Sequence, residues 1–265
     1  LGFVYALLKI SEKYLDINGN EDIRTLKHAF LNSYFQTGLK SNIDEAVINH
    51  INEHGLSELS EKYTKIDEIP FDFARRRLSV VVSDGQKTQM ITKGAVEEIL
   101  GISTMVDYQG NVSPITNAIK ENIKKITKDL NKQGLRVVAV CQKNNLEKTS
   151  EFTVSDEKNM VVIGFIGFLD PPKESAKSSI EKLNKNGIRV IVLTGDNVEV
   201  TQCICDTVGI KSPQIVIGSQ IDKLQDIAVK RLLKKTNIFA KLSPIQKARI
   251  VRLLRNTGNV VGYMG

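Results

Sequence analysis

Short apolar runs alternate with amphipathic segments in the second half of the chain. The apolar runs cover residues 161–168, 188–193, 214–217, 237–240 and 259–264. Between the first two runs, Ala176, Ile180 and Leu183 recur at helical spacing, and Gly187 follows them as a typical helix terminator. Strand–helix alternation with nearly continuous apolar strands is typical of a parallel sheet covered by helices on both faces. The pattern therefore predicts an α/β domain of the Rossmann type in this half.

The first half of the chain combines strands and helices differently. Residues 77–92 predict a hairpin of two antiparallel strands, with a two-residue turn at Asp84 and Gly85 in which both residues have positive φ. Two further strands are predicted near residues 136–142 and 160–168, on either side of a polar stretch. Antiparallel strands packed against helices are the expected architecture here.

Charge and composition narrow the class of partner. The 265 residues include 37 Lys and Arg against 30 Asp and Glu, which gives a formal net charge of +7. Such a surplus suits an anionic partner: nucleic acid, an acidic membrane surface or a phosphorylated small molecule. Nucleic acid is the least favoured, because aromatic residues make up 6% of the chain and Trp is absent. The densest lysine patch, residues 120–132, has Ile123 and Leu130 on its other face, as in a solvated amphipathic helix.

Other features of the sequence indicate the environment in which the chain is expected to fold. Cys141, Cys203 and Cys205 are too few and wrongly spaced for a disulfide framework or a zinc site, so a reducing, cytosolic environment is expected. The sequence shows no signal or transit peptide. It also has no apolar run near the roughly 18 residues that a membrane-spanning helix needs. The chain as given is therefore predicted not to cross a membrane.

Polar residues follow several of the predicted parallel strands. Ligands of open α/β sheets bind beyond the carboxyl ends of the strands, so Asp170, residues 194–197 and residues 241–247 are candidates. The Thr194 hydroxyl and the backbone N–H groups after it can face an anion, although helix capping explains the same residues. Lys247 lies in the first turn of a helix, where a phosphate in front of it would offset its unfavourable interaction with the helix dipole. An ordinary exposed lysine is the alternative.

The first half carries candidates of its own. Phe73 and Arg75 enter the hairpin, and such a pair can stack on a base and bind a phosphate, or form a core edge with a solvated arginine. Gly94 follows Lys93 and lets the backbone approach a ligand closely, or simply allows a strand-to-helix turn. Arg136 lies just after a glycine that can end a helix, and it is equally explained as a surface arginine.

Taken in order, these motifs resemble the cytoplasmic headpiece of P-type ion-transporting ATPases. The succession is Phe73-x-Arg75, Lys93-Gly94-Ala95, Leu135-Arg136, Asp170-Pro171-Pro172, Thr194-Gly195-Asp196-Asn197 and Ser243-Pro244-x-Gln246-Lys247. The resemblance covers about residues 9–265. Residues 32–40 and 43–47 are most similar to the bacterial magnesium-translocating branch.

The resemblance implies an α/β architecture with two domains. A nucleotide-binding domain of antiparallel sheet and flanking helices, residues 14–156, is expected to precede an incomplete haloacid-dehalogenase-like phosphorylation domain, residues 157–265. Residues 1–13 are expected to be an edge of the phosphorylation domain or a segment foreign to it.

The resemblance also assigns roles to individual residues. It places the nucleotide-binding site at Asp44, Phe73, Arg75, Lys93, Gly94, Arg136, Asp170 and Gly195. Phe73 is expected to stack on adenine, Asp44 to lie near its amino group, and the two arginines to neutralise phosphates, with Asp170 near the ribose. Thr194, Asp196 and Lys247 are expected to form the phosphoryl-transfer site, where Lys247 steadies charge on the transferred group.

The implied function is that of a pump. ATP and Mg²⁺ are the expected cofactors, and the expected partners are ATP and the transmembrane and actuator domains of a parent ATPase in the cell membrane, with this portion facing the cytoplasm. The parent is expected to couple ATP hydrolysis, through an aspartyl-phosphate, to transport of a cation, Mg²⁺ first. A headpiece of the Ca²⁺ type, a free-standing haloacid-dehalogenase-like phosphohydrolase and a nucleic-acid-binding module are the open alternatives.

Two departures from the family pattern shape the expected activity. The chain contains no Asp-Lys-Thr-Gly-Thr nucleophile segment, which the pattern would place at or before residues 1–8, and no Gly-Asp-Gly-x-Asn-Asp metal segment. No metal ligand is assigned for that reason. The chain alone is expected to bind ATP with a Kd between about 10 μM and 1 mM and to be inactive in hydrolysis.

Overall fold

The computed structural model describes residues 12–263, apart from Leu39, His54, Gly55, Ser57, Asn145, residues 147–150 and Asp170. The described residues divide into two compact units. The first comprises residues 12–130 and 136–169, and the second comprises residues 131–135 and those from 171 onward.

The first unit is built on one large sheet. Its elements are β1 (Glu12–Asp16), α1 (Ile23–Phe35), α2 (Asn42–Glu53), α3 (Leu59–Lys62), β2 (Thr64–Asp72), β3 (Arg77–Ser83), β4 (Thr88–Gly94), α4 (Val96–Ile102), β5 (Ser103–Tyr108), β6 (Asn111–Pro114), α5 (Asn117–Lys132), β7 (Leu135–Asn144) and β8 (Met160–Leu169). Within the described residues the sheet has eight strands in the order β2-β3-β4-β7-β8-β5-β6, and β1 also pairs with β8. The pairings are mostly antiparallel, while β5 and β8 are parallel.

The two faces of this sheet carry separate hydrophobic clusters, because successive side chains of a strand point to opposite faces. On one face, α1 and α2 pack through Leu26, Phe30, Val47 and Ile51 against Val82, Ile91, Val140 and Ile166. On the other face, α4 and α5 pack through Ile99 and Ile123 against Val81, Met90, Cys141 and Phe165. The predicted mixture of antiparallel strands and flanking helices is confirmed, as is the apolar face of the lysine-rich helix.

The predicted hairpin exists, but its turn differs from the prediction. Ser83 pairs with Thr88, so the connection between β3 and β4 has four residues rather than two. Of the two residues expected at positive φ, Gly85 alone has it, at 87°. The Asp84 carboxylate accepts hydrogen bonds from the backbone N–H groups of Gln86 (3.0 Å) and Lys87 (2.8 Å). This side-chain-to-backbone bonding stabilises a longer turn than the Asp-Gly pair alone predicts.

The second unit contains a small parallel sheet. Its elements are α6 (Ser175–Lys185), β9 (Val192–Leu193), α7 (Val198–Val208), β10 (Ile215–Ile217), α8 (Gly218–Asp222), α9 (Asp226–Lys235), β11 (Ile238–Ala240) and α10 (Pro244–Arg255). The strand order is β10-β11-β9, with both pairings parallel. The alternation of strands and helices is therefore confirmed for residues 188–240, whereas the haloacid-dehalogenase-like assignment stays a prediction. No helix in the described part of the chain is long and apolar enough to span a bilayer.

One sheet assignment and one strand prediction for the second half are wrong. The run at residues 161–168 forms a strand as predicted, β8, but this strand lies in the large sheet, as the first-half prediction had it, and not in the parallel one. A strand buried on both faces is apolar throughout, whichever way its neighbours run, so its sequence does not reveal its sheet. The run at 259–264 forms no strand over its described residues, and Val260 is fully exposed. Since β8 ends at Leu169, the first compact unit also ends there, and the functional domain boundary after residue 156 stays a prediction.

Candidate functional site

Most of the first-half candidates lie at one end of the large sheet. The start of β3 pairs with the end of β4, where Arg77 faces Gly94, and Gly94 in turn faces Ala139 in the middle of β7. The connection of β2 to β3, with Phe73 and Arg75, reaches this same end. Arg136, the second residue of β7, is half-buried there. The register of three strands therefore brings together residues that are far apart in the sequence.

A buried ion pair lies beside this end of the sheet. Lys93 of β4 pairs with Asp44 in the first turn of α2, and its Nζ also donates to Ser33 Oγ of α1 at 2.6 Å. Asp44 further accepts from the backbone N–H (2.8 Å) and the hydroxyl (2.6 Å) of Ser41. Burial alone would raise the pKa of Asp44, but the charge of Lys93 and these hydrogen bonds outweigh burial and lower the pKa to about 2. The carboxylate is therefore ionised and held in a fixed position at neutral pH.

Phe73 projects from the β2–β3 connection with little support. Its exposed fraction is 72%, although phenylalanine is usually buried. Its ring meets that of Phe71 edge to face, with centroids 5.2 Å apart and an interplanar angle of 85°. An aromatic ring with most of its surface exposed suits stacking on a planar ligand.

Arg75 makes contacts that the sequence analysis did not anticipate. Its Nη1 lies 2.9 Å from both carboxylate oxygens of Glu157, and its Nη2 donates to the Pro70 carbonyl at 2.6 Å. Glu157 also accepts from Arg77 Nε at 2.7 Å and from Ser79 Oγ at 2.7 Å. The Glu157 side chain has no exposed surface. Arg75 is therefore bound within the protein rather than reaching freely into solvent.

Sequence reasoning missed Glu157 because it lies in a polar stretch that resembles a solvated loop. The sequence did contain one clue, because Thr153 and Asp156 have the spacing of a capping box. In the structure they form that motif around a short 3₁₀ turn, residues 154–156. A turn fixed immediately before a buried strand places the intervening Glu157 at the edge of the core.

Gly94 packs tightly against β3. A Cβ on Gly94 would lie 2.5 Å from Arg77 Cβ and 2.6 Å from the Arg76 carbonyl oxygen, so packing against β3 is sufficient reason for this glycine. Asp170 lies outside the described residues.

The second-unit candidates form a cluster at the carboxyl ends of parallel strands. Thr194 follows directly on β9, and its hydroxyl donates to Asp196 Oδ2 (2.9 Å) and accepts from the Asp196 backbone N–H (3.1 Å). Backbone bonds join this loop to the loop after β11: Leu242 N to Thr194 O (3.0 Å) and Lys241 N to Asp196 O (2.8 Å). Gly195, between Thr194 and Asp196, is exposed.

Lys247 lies in the first turn of α10, the helix that follows the loop after β11. Ser243 caps α10, accepting from the Gln246 N–H at 3.3 Å, while Gln246 Oε1 accepts from the Ser243 N–H at 2.8 Å. Arg249, two residues further on, donates to the carbonyls of Ile221 (2.9 Å) and Leu224 (2.7 Å) and pairs with Asp226 at 2.7 Å. Lys247, which is half-buried, lies between these two fixed points at the same edge as Thr194.

Comparison with known proteins identifies the class. Residues 5–175 match the family model described as "P-type ATPase, cytoplasmic domain N". Since the match covers more than half of the chain, the chain belongs to the P-type ATPase family.

Its relatives are transporters by name. The chain is 42% identical to the "Magnesium-transporting ATPase, P-type 1" of Escherichia coli (strain K12) over 97% of its own length and 29% of that protein. It is 37% identical, over 96% of its length and 28% of the relative, to a protein of the same description from Salmonella typhimurium (strain LT2). It is 28% identical, over 94% of its length and 29% of the relative, to the "Calcium-transporting ATPase 1" of Bacillus cereus. The chain thus spans less than a third of these relatives.

Proposed function

We propose that this chain is the ATP-binding cytoplasmic portion of a pump in the cell membrane that couples ATP hydrolysis to cation transport. The observation that carries the proposal is the presence of an exposed aromatic ring, Phe73, and a buried lysine, Lys93, at one end of the same sheet. An adenine base needs a planar apolar surface, and a nucleotide needs positive charge beside it. Family membership is the independent reason to expect this pairing, and the geometry is compatible with it.

The other residues of the proposed nucleotide site are assigned by their positions in the fold. Arg136 and Arg75 lie at the same end of the sheet, where their charge favours the phosphates, and Asp44 holds the Lys93 ammonium in place beside the base. Gly94 is proposed to shape the nucleotide site, because its close packing on β3 holds the ends of the two strands together. Asp170 and Gly195 keep their proposed places near the ribose and the phosphoryl-transfer site.

The second unit is proposed to be an incomplete haloacid-dehalogenase-like phosphorylation domain. Thr194 and Asp196 lie in the loop after β9 and Lys247 in the first turn of the helix after β11, and ligands of such sheets bind beyond the carboxyl ends of the strands. Phosphoryl transfer needs mainly positioning and charge stabilisation, which a hydroxyl, a carboxylate and an ammonium can supply. Mg²⁺ would enter with the nucleotide. Among the described residues no group of three His, Cys, Asp or Glu side chains could hold a metal ion.

The transported ion is proposed to be Mg²⁺. The support is the higher identity to relatives named as magnesium transporters, 42% and 37%, than to the calcium transporter at 28%. Transport would require transmembrane and actuator domains as partners and an aspartyl-phosphate formed on a segment that this chain does not contain. A calcium pump is the second candidate.

An ATP titration followed by ¹⁵N–¹H NMR tests the binding proposal. Saturable shifts are expected near Phe73, Lys93 and Arg136, with a Kd between about 10 μM and 1 mM. Phe73→Ala is expected to weaken binding by roughly 5- to 150-fold, because base–aromatic stacking contributes about 1–3 kcal/mol. Val112→Ala removes an exposed apolar side chain from β6 and serves as the matched control.

Two results would contradict the proposal. An absence of shifts at millimolar ATP, in a chain shown by its spectrum to be folded, would exclude the nucleotide site. Labelling of this chain by [γ-³²P]ATP would contradict the expectation that it lacks the phosphorylated aspartate.

A further inference from the structure

The Glu157 carboxylate is the centre of a buried charge cluster that joins distant parts of the first unit. It lies 80 residues or more from the two arginines that it binds, Arg75 through Nη1 at 2.9 Å and Arg77 through Nε at 2.7 Å. The side chains of Arg75 and Arg77 are 18% and 11% exposed. Ser79 donates its hydroxyl to Oε1, and Thr92 can then donate to Ser79 at 2.7 Å. Both carboxylate oxygens are thus fully engaged.

This cluster lies at the base of the aromatic turn, by which we mean residues 71–76. Arg75 Nη2 donates to the Pro70 carbonyl at 2.6 Å, so its guanidinium spans from one side of the turn to the other. The Asp72 carboxylate accepts from the backbone N–H groups of Ala74 (2.8 Å) and Arg75 (2.9 Å). Arg76 closes the turn with φ of 47°, a conformation that costs energy in a non-glycine residue. A strained turn needs contacts from outside: the Ala95 N–H donates to the Arg76 carbonyl at 3.0 Å, and Glu157 binds the arginines on either side of Arg76.

Phe73, by contrast, has almost no packing of its own. With 72% of its surface exposed, its ring is placed by the backbone of the aromatic turn and by its contact with Phe71. Whatever fixes the turn therefore fixes the ring.

We infer that Glu157 is a positioning residue of the nucleotide site: it holds Arg75 and Arg77, and through them it keeps the aromatic turn in the conformation that presents Phe73 to the base. This inference rests on the proposed function. Glu157 is not expected to touch the nucleotide.

The expected signature is equal weakening of ligands with and without phosphates. If Glu157→Gln lets the turn leave its binding conformation about nine-tenths of the time, the apparent Kd rises about tenfold, because apparent affinity scales with the competent fraction. Adenosine and ATP then lose the same factor, since both need the stacking surface. A role restricted to phosphate charge would weaken ATP and leave adenosine unchanged.

The absence of Trp from the chain allows a direct readout of the turn without any ligand. Phe73→Trp puts a single indole fluorophore at the ring position while retaining an aromatic face. In this background, Glu157→Gln is expected to lower the steady-state anisotropy of the indole fluorescence. Asp107→Asn is the matched control, because Asp107 is another buried carboxylate of the first unit, paired with Arg24, and lies on β5 away from the aromatic turn.

The titrations decide the inference. Wild type, Glu157→Gln and Asp107→Asn are titrated with adenosine and with ATP by NMR, and equal losses of about tenfold for Glu157→Gln alone support it. Unchanged affinity, loss for ATP only, or equal loss in Asp107→Asn would overturn it. If wild type binds neither ligand, the proposed function itself fails, which is a different outcome from a wild type that binds and a variant that binds equally well.

Arg75→Lys keeps the test valid if Glu157→Gln does not fold. It retains a positive charge but loses the planar fork that reaches Glu157 and Pro70 together. The same equal loss for adenosine and ATP is expected, and an unchanged adenosine affinity would overturn the inference.

Discussion

The two compact units hold their candidate residues in place by different means. In the first unit, side-chain ion pairs do this: Lys93 with Asp44, and Glu157 with Arg75. In the second unit, backbone hydrogen bonds between the loops after β9 and β11 do it, such as Leu242 N to Thr194 O at 3.0 Å. The described candidate side chains of the second unit are half-buried or exposed.

This difference determines whether a substitution that affects binding also affects stability. Removing one member of a buried ion pair leaves an uncompensated charge in the interior, so substitutions in the first site lower the free energy of unfolding as well as any affinity. A backbone hydrogen bond survives a change of side chain, so substitutions in the second site leave stability almost intact. Function and stability are therefore expected to be coupled in one unit and separable in the other.

The largest expected effect is that of Lys93→Ala. Removal of the ammonium leaves Asp44 buried and charged, which should lower the free energy of unfolding of the first unit by about 3–5 kcal/mol. Hydrogen exchange resolved by segment would show faster exchange in α1, α2 and β4, with the second unit unchanged. Lys124→Ala, which breaks an exposed pair with Glu121, is the control and should cost about 0–1 kcal/mol. Equal exchange in both variants would show that the pair does not hold the site together.

Replacing one glycine of each site by alanine tests the comparison, because the space around the two glycines differs. In Gly94→Ala the new Cβ would lie 2.5 Å from Arg77 Cβ, which should cost about 1–3 kcal/mol of stability, as overpacked sites do. In Gly195→Ala the nearest atom, the Leu242 carbonyl oxygen, is 3.5 Å away, and the change should stay within about 0.5 kcal/mol. Urea denaturation followed by circular dichroism measures both. Equal stabilities would mean that β3 and β4 can separate at no cost.

Acid should destabilise the first unit through protonation of Asp44. The pKa of Asp44 is lowered from 3.8 to about 2 in the folded chain, so its ionisation stabilises the fold fully above about pH 4. That contribution is lost as the pH falls from about 4 to about 2, since a folded carboxylate with a depressed pKa resists protonation. After allowance for solvent screening the loss amounts to about 1–2 kcal/mol.

Asp44→Asn is the control for this pH dependence. Segment-resolved exchange between about pH 4 and about pH 2.5 should show a steeper loss of protection in α2 of the wild type than in the variant, after correction for the intrinsic rates. Identical slopes would remove Asp44 as the cause.

The periodic parts of the fold were predictable from the sequence, and the long-range parts were not. The β3–β4 hairpin and the apolar face of α5 follow from spacing alone. The sheet to which β8 belongs did not follow, and the run was assigned to both halves, because an apolar run is the same in a parallel and an antiparallel setting. Gly164 is part of the reason it fits there: a Cβ at this position would lie 2.0 Å from the Leu15 carbonyl oxygen of β1.

The candidate sites show the same division. Phe73, Lys93 and Thr194 stood out as residues at turns and strand ends, and the structure places them there. Asp44 was identified by family resemblance alone, since nothing in a helical first turn announces a lysine 49 residues away. Glu157 was missed because its partners are 78 or more residues distant and its neighbours are polar. Buried charge clusters depend on pairings that no local pattern encodes.

The smallest expected effect comes from two adjacent residues of α10. Gln246 caps the helix and donates to Asp222 Oδ2 at 2.7 Å, so Gln246→Ala should cost about 1 kcal/mol of stability, as loss of a cap does. Lys247 is half-buried, and Lys247→Ala should stay within about 0.5 kcal/mol. Hydrogen exchange in α10 distinguishes the two variants. A loss of protection in Lys247→Ala as large as that in Gln246→Ala would give Lys247 a structural role and weaken its assignment to phosphoryl transfer. If Lys247→Ala changes neither stability nor hydrogen exchange, the fold does not depend on the charge of Lys247.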